Sequence, residues 1–256
     1  MKFYIIQKYI KKSIYKSLIY AIIKLVLIII YLMLSKEESV KYKKNFYFLL
    51  SKIIIKNNYM VINKKILKSK PKNKGIIIIS NHINIHDFIF IRKIIDCYVV
   101  GNDIFSINQK VKENLEIIPY KVLNQKSGTN VKNTILEIIN SGKNVLVFPE
   151  GRMCNSLKDN LLEFKKGLFH LAYDNNIPIL MTFLYSNNNN FAIGHPITNI
   201  KVILKFLFNI FLFNSETTIV TYELLDFVYS KNFNNFNDFY NHITRKMIET
   251  LDKYRK

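Results

Sequence analysis

The sequence predicts an α/β fold in which helices flank a mixed, largely parallel sheet. Two apolar runs have the length and composition of buried strands, Gly75-Ile76-Ile77-Ile78-Ile79 and Val145-Leu146-Val147-Phe148. Each run is followed at once by polar residues that are capable of catalysis. In an open α/β sheet, catalytic side chains gather at the carboxyl ends of the strands. The two runs therefore predict both the fold class and the position of a site.

Further segments continue the alternation of helices and strands. Apolar residues repeat with helical period before Gly142, which predicts a helix over 129–141. The same helical period predicts helices over 164–175 and 236–254. Short apolar runs predict strands over 177–185 and 217–222. Such an alternation is typical of α/β proteins.

A histidine and an aspartate follow the first run at a spacing that requires a turn. His82 and Asp87 are five residues apart, so they lie about 140° apart around a helix and on opposite faces of a strand. The expected arrangement is a strand over 75–80, a sharp turn and a helix that begins near Asn84, a favourable N-cap residue. Asp87 would orient one imidazole nitrogen, and the other would take a proton from a substrate hydroxyl, as in acyl transfer.

Each motif by itself also fits a purely structural role. His82 and Asp87 are compatible with a turn that has a capping aspartate, and the residues Pro149, Glu150 and Gly151 have the composition of an ordinary turn. Both motifs occur in order, however, and each comes directly after an apolar strand. Their combination favours a catalytic site.

Four motifs in order resemble those of the 1-acylglycerol-3-phosphate acyltransferases, within the wider glycerophospholipid acyltransferase family. The motifs are Asn81-His82-x-x-x-x-Asp87, Phe148-Pro149-Glu150-Gly151, Leu162-Glu163-Phe164-Lys165-Lys166-Gly167 and Ile177-Pro178-Ile179. The resemblance implies a glycerolipid acyltransferase-like fold. It also implies transfer of a fatty acyl group from acyl-CoA to the free hydroxyl of lysophosphatidate, which gives phosphatidate in phospholipid biosynthesis or remodelling. Acyl-CoA is then a co-substrate, and neither a cofactor nor a metal is expected.

The resemblance also implies roles for individual residues. His82 matches the family's catalytic base, and Asp87 matches the partner that fixes the imidazole tautomer. Glu150 and Gly151 match a motif that resembles a glycerol phosphate site. Glu150 would contact a hydroxyl of the acceptor or clamp Arg152.

Three cations are expected to neutralise the phosphate, namely Lys121, Arg152 and Lys165. Family members usually have a Thr and then an Arg after the glycine of the second motif, whereas Arg152 follows Gly151 directly here. Lys121 stands where the family has an arginine, and lysine binds phosphate as a point charge rather than as a bidentate fork. These departures predict altered head-group geometry or a different acceptor.

The charge of the chain predicts an anionic partner. Lysine and arginine number 38 against 18 aspartates and glutamates, a formal net charge of +20, which favours phospholipid head groups or nucleic acid. Two alternatives stay open: an acyltransferase or transacylase that acts on another lysophospholipid, and a non-enzymatic basic protein that covers membranes or nucleic acid. The ordered motifs favour the enzyme, with membrane phospholipids, an acyl thioester donor and a lysophospholipid acceptor as partners. Nucleic acid and an obligate protein partner are not expected.

Two apolar segments predict membrane association. We divide the chain into a membrane-associating helical segment, 1–45, and an acyltransferase domain, 46–256, with an apolar insertion at about 198–214. The first segment is short for a span, which needs about 20 apolar residues, and lysines flank it on both sides. An interfacial or re-entrant helix satisfies both flanks better than a span or a buried core helix. The insertion would dip into the membrane, line the acyl chain or form a core helix. We expect the catalytic domain on the cytosolic side.

Overall fold

The computed structural model describes residues 22, 26, 59–71, 74–84, 87–102, 116–120, 125–154, 160–187 and 219–256, without the side chains of 59, 102 and 125–128. The apolar insertion at about 198–214, Lys121 and all but two positions of the segment 1–45 lie outside the described residues. In the part that is described, no helix is both long enough and apolar enough to cross a membrane.

A seven-stranded sheet forms the centre of the described structure. Its strands are β1 (Tyr59–Ile62), β2 (Ile77–Ile79), β3 (Tyr98–Asn102), β4 (Ile117–Tyr120), β5 (Val145–Val147), β6 (Ile179–Ser186) and β7 (Val220–Val228). The strand order is β1-β7-β6-β2-β5-β3-β4. β6, β2, β5, β3 and β4 run parallel, while β7 pairs antiparallel with β6 and parallel with β1. The predicted mixed, largely parallel sheet is confirmed.

The helices are α1 (Asp87–Arg92), α2 (Gln125–Asn140), α3 (Lys166–Asp174) and α4 (Phe236–Arg255), with two short 3₁₀ helices at Lys64–Ser69 and Ser230–Asn232. Helices α2, α3 and α4 confirm the three predicted segments, with their ends shifted by a few residues. β7 reaches Val228, well past the predicted end at 222. Its partners β1 and β6 come from distant parts of the chain. The local sequence pattern therefore does not show how far the pairing of β7 with them extends.

The two faces of the sheet are covered by different helices. Ile76 and Ile78 pack in a cluster with α1, whereas Ile77 and Ile79 pack in a second cluster with α2, α3 and α4. Side chains alternate between faces along a strand, so β2 is buried on both sides. This double burial explains the unbroken isoleucine run, because a parallel strand covered on both faces has no polar side.

Gly75 lies where the chain entering β2 meets the end of α2. Its N–H donates to the Ile139 carbonyl oxygen at 3.1 Å. A Cβ at this position would lie 1.9 Å from the Lys143 carbonyl oxygen and 2.9 Å from that of Ile139. Both are backbone atoms, which cannot rotate away.

We expect Gly75→Ala to lower the free energy of unfolding by about 3 kcal/mol, because the added methyl overpacks against backbone. Urea unfolding measures this change. Gly167→Ala is the matched control, since its Cβ would meet only the end of the Lys132 side chain at 3.7 Å. The helical position 167 should gain up to about 1 kcal/mol from alanine. Equal unfolding midpoints for the two variants would contradict the close approach at Gly75.

Candidate active site

The two sequence motifs converge because β2 and β5 are neighbours in the sheet. Ile79 at the end of β2 lies opposite Val147 at the end of β5. The Ser80 N–H extends the pairing by donating to the Val147 carbonyl oxygen at 3.4 Å. The segments that carry His82 and Glu150 therefore leave the sheet side by side at its carboxyl edge, as predicted.

His82 and Asp87 meet across the turn that their spacing required. His82 Nδ1 lies 2.9 Å from Asp87 Oδ2. The same oxygen accepts the N–H of Ile83 at 2.7 Å and that of Asn84 at 2.9 Å. Asp87 is fully buried, whereas 21% of the His82 side chain is exposed. The described part of α1 begins at Asp87, so the carboxylate closes the turn at the entry to the helix.

The Asp87 carboxylate is asymmetric. Oδ2 accepts three N–H groups, while the buried Oδ1 has no hydrogen-bond partner within the described structure. Burial raises the pKa of Asp87 above its usual value of 3.8, and the hydrogen bond from His82 opposes that shift. Because Oδ2 accepts two backbone N–H groups, it acts as an acceptor toward His82 as well, so we assign the proton to Nδ1 of the imidazole. This tautomer leaves Nε2 as the basic nitrogen.

The segment after β5 holds the rest of His82. The imidazole stacks on the Phe148 ring, with centroids 4.1 Å apart. The His82 N–H donates to Glu150 Oε1 at 3.0 Å, and its carbonyl oxygen accepts the Cys154 N–H at 2.7 Å. The segment after β5 therefore supports His82 at its ring and at both of its backbone groups.

Glu150 lies inside the protein rather than at its surface. It is 3% exposed, and its second oxygen, Oε2, accepts the Leu162 N–H at 3.0 Å. Burial raises the pKa of this carboxyl above 4.5, although its two backbone hydrogen bonds oppose the shift. Among the described residues, no ion pair joins Glu150 to Arg152, which is exposed. This placement argues against the predicted contacts of Glu150 with Arg152 and with the acceptor.

Gly151 and Lys165 approach each other closely. Gly151 has φ +71°, a left-handed conformation that glycine adopts without strain. A Cβ on it would lie 2.7 Å from Lys165 Cε, and the Lys165 N–H donates to the Pro149 carbonyl oxygen at 2.9 Å. The exposed Lys165 side chain thus crosses the turn beside the exposed Arg152. β4 ends at Tyr120 on the same edge, one residue before Lys121.

Several supporting residues were not predicted from the sequence. The Asn81 side-chain amide donates to the Leu184 carbonyl oxygen of β6 at 2.8 Å, and its Oδ1 accepts the Leu184 N–H at 2.7 Å. Cys154 and Leu162 contribute only backbone N–H groups, for which side-chain identity gives no signal. Asn81 was detectable, since it is a polar residue next to His82. Within the described ranges, no group of three or more His, Cys, Asp or Glu side chains could hold a metal ion.

Comparison with known proteins found a matching family model and solved structures of similar fold. Residues 61–183 match the family model described as Acyltransferase. The fold is similar to the crystal structure of the 1-acyl-sn-glycerophosphate (LPA) acyltransferase, PlsC, from Thermotoga maritima, with a TM-score of 0.63. The two chains are 14% identical over 93% of this chain and 97% of that chain, so the likeness concerns the fold. No curated protein matches the chain.

The chain contains an acyltransferase domain over residues 61–183, and it is an acyltransferase enzyme. This match confirms the family resemblance that the four sequence motifs indicated. It also favours the enzyme over the alternative of a non-enzymatic basic protein.

Asp87→Asn should separate the charge of this residue from its hydrogen bonds. An amide oxygen in place of Oδ2 can accept the same three N–H groups, so the imidazole tautomer should persist while the negative charge is lost. Loss of a charged hydrogen bond of about 1.5–3 kcal/mol predicts a fall in kcat of about ten- to hundredfold. Steady-state rates at saturating substrates measure it, with Asp174→Asn on the exposed end of α3 as control. A loss of about 10⁴-fold would instead indicate the wrong tautomer.

Proposed function

We propose that this enzyme transfers a fatty acyl group from acyl-CoA to the free hydroxyl of lysophosphatidate, giving phosphatidate. The observation that carries the proposal is the hydrogen bond between His82 Nδ1 and Asp87 Oδ2. This pair lies beside the turn that presents Arg152 and Lys165. The Thermotoga maritima protein of similar fold is described as an LPA acyltransferase, which supports this choice of acceptor.

The chemistry follows from the His82 tautomer. Nε2 removes the proton of the acceptor hydroxyl as that oxygen attacks the thioester carbonyl carbon. The resulting tetrahedral intermediate expels the CoA sulfur, which takes the proton back from the imidazolium. Asp87 stabilises the imidazolium through its buried Oδ2. No protein nucleophile is needed, since the substrate hydroxyl supplies one.

His82→Ala should lower kcat by about 10² to 10⁴-fold, the usual cost of removing a general base. Labelled acyl-CoA and a panel of lysolipids measure the loss. His170→Ala serves as the matched control, because His170 lies exposed on α3 and stacks on Phe236, away from the catalytic pair. Near-normal turnover by His82→Ala would exclude the proposed mechanism.

We propose that the exposed cations on the catalytic edge bind the acceptor phosphate. Arg152 and Lys165 lie at the same turn, and Lys165 Nζ is 3.5 Å from the position that a Gly151 Cβ would take. Lys121, outside the described residues, follows β4 on this edge and is proposed as the third cation. A phosphate at a partly dehydrated surface needs such paired positive charges. Gly151 contributes by leaving space for the Lys165 side chain.

Arg152→Gln and Lys165→Gln should each raise the KM for lysophosphatidate by about ten- to hundredfold, because a charged hydrogen bond is lost. Lysophosphatidylcholine, whose head group carries its own cation, should be affected less. Lys246→Gln on the exposed face of α4 is the control. If both variants use lysophosphatidate as the parent does, the acceptor is better sought among other lysophospholipids, the alternative that the direct Gly151-Arg152 sequence favours.

We also propose that the enzyme works on the cytosolic side of a membrane and that its catalytic edge faces the lipid. Tyr59 and Ser186 both pair with Val220, so β1 and β7 begin on the edge where β6 ends. The chain preceding each of these strands, including the apolar segments within 1–45 and 198–214, joins the described structure there. The net charge of +20 favours an anionic lipid surface.

Deleting residues 1–35 should release protein from anionic phospholipid vesicles in a flotation assay. Activity on bilayer substrate should fall more than activity on monomeric short-chain substrate, because only the former requires binding to a surface. Complete flotation of the truncated protein at high salt would assign the main anchor to the insertion at 198–214 instead.

A further inference from the structure

A buried carboxylate joins three segments of the site. We propose that Glu150 is a positioning residue, which sets the direction of the His82 imidazole by holding the His82 backbone to the segment at Leu162. The proposal rests on the proposed role of His82 in acyl transfer. It gives Glu150 a task different from substrate binding.

Both oxygens of Glu150 are used by the backbone. Oε1 accepts the His82 N–H and Oε2 accepts the Leu162 N–H, each at 3.0 Å. These donors lie 68 residues before and 12 residues after Glu150 in the chain. One side chain therefore connects the loop after β2, the turn after β5 and the segment that leads to α3.

The contacts that fix His82 involve its backbone groups, one face of its ring and Nδ1. The Cys154 N–H binds the His82 carbonyl oxygen from the other side, and Phe148 covers one face of the ring. Asp87 fixes Nδ1. Without the Glu150 contact, the peptide before His82 loses its anchor, and the ring can tilt on Phe148 and away from Asp87. A misplacement of about 1 Å at a reacting group costs about a hundredfold in rate.

Direct contact with the acceptor is disfavoured by burial and by charge. Glu150 is 3% exposed, so a lipid head group does not reach it. A carboxylate would also repel the phosphate that the neighbouring Arg152 and Lys165 attract. Backbone N–H groups satisfy it instead, as buried polar groups require.

Kinetics of Glu150→Gln and Glu150→Ala separate positioning from binding. Glutamine keeps one acceptor oxygen and alanine keeps none. We therefore expect kcat to fall less in Glu150→Gln than in Glu150→Ala, where it should fall by about a hundredfold. The KM values for donor and acceptor should change by less than about twofold, because no substrate contact is removed. Glu137→Gln, on the exposed face of α2, is the matched control.

Rates are compared per folded molecule, at temperatures below the unfolding transition of each variant. If Glu150→Ala does not fold, Glu150→Gln decides alone. A raised acceptor KM with unchanged kcat would overturn the proposal and make Glu150 a substrate ligand. Unchanged kcat and KM would overturn it as well.

A second measurement needs no turnover. Diethyl pyrocarbonate acylates unprotonated imidazoles, and mass spectrometry reports the rate at His82, with the exposed His170 as internal reference. Loosening of the loop in Glu150→Gln should raise the His82 rate by about twofold or more, as local opening does. An unchanged His82 rate would overturn the proposal. Failure of the parent enzyme to transfer any acyl group would count against the proposed function alone.

Discussion

The parallel pairing of β2 with β5 is the constraint on which the site depends. It brings the ends of two apolar strands to the same level, so the segment with His82 and the segment with Glu150 leave the sheet together. Every contact that holds His82 spans this junction or the turn next to it. A shift of register by one residue would reverse which face each strand side chain occupies, and it would move Phe148 away from the imidazole.

Two buried carboxylates organise this junction without a neighbouring ammonium or guanidinium group in the described contacts. Asp87 is bonded by His82 and two backbone N–H groups, and Glu150 is bonded by two backbone N–H groups. Burial raises the pKa of both groups, which means that their ionised forms are costly in the folded protein. Buried carboxylates with raised pKa values are common at functional sites, so their cost is consistent with a site whose geometry serves catalysis.

The positive charges at this junction lie at the surface, in contrast to the two buried carboxylates. Arg152 and Lys165 are exposed at the turn, while the two carboxylates are covered beneath it. An anionic substrate approaching this turn would therefore meet the cations before the two carboxylates. Because the cations lie at the surface and the carboxylates lie beneath it, Glu150 and Arg152 can be two residues apart in the sequence without forming an ion pair in the described contacts.

The sequence by itself determined the strands around 75–80 and 145–148, three helices and the meeting of His82 with Asp87. These features depend on local patterns, and a spacing of five residues is compatible with contact only across a turn. It did not determine the partners of Glu150, the support from Phe148 and Asn81, or the length and direction of β7. Those depend on strand register and on backbone N–H groups such as that of Leu162, which every residue except proline carries. Only the tertiary structure decided which of these groups a buried carboxylate would reach.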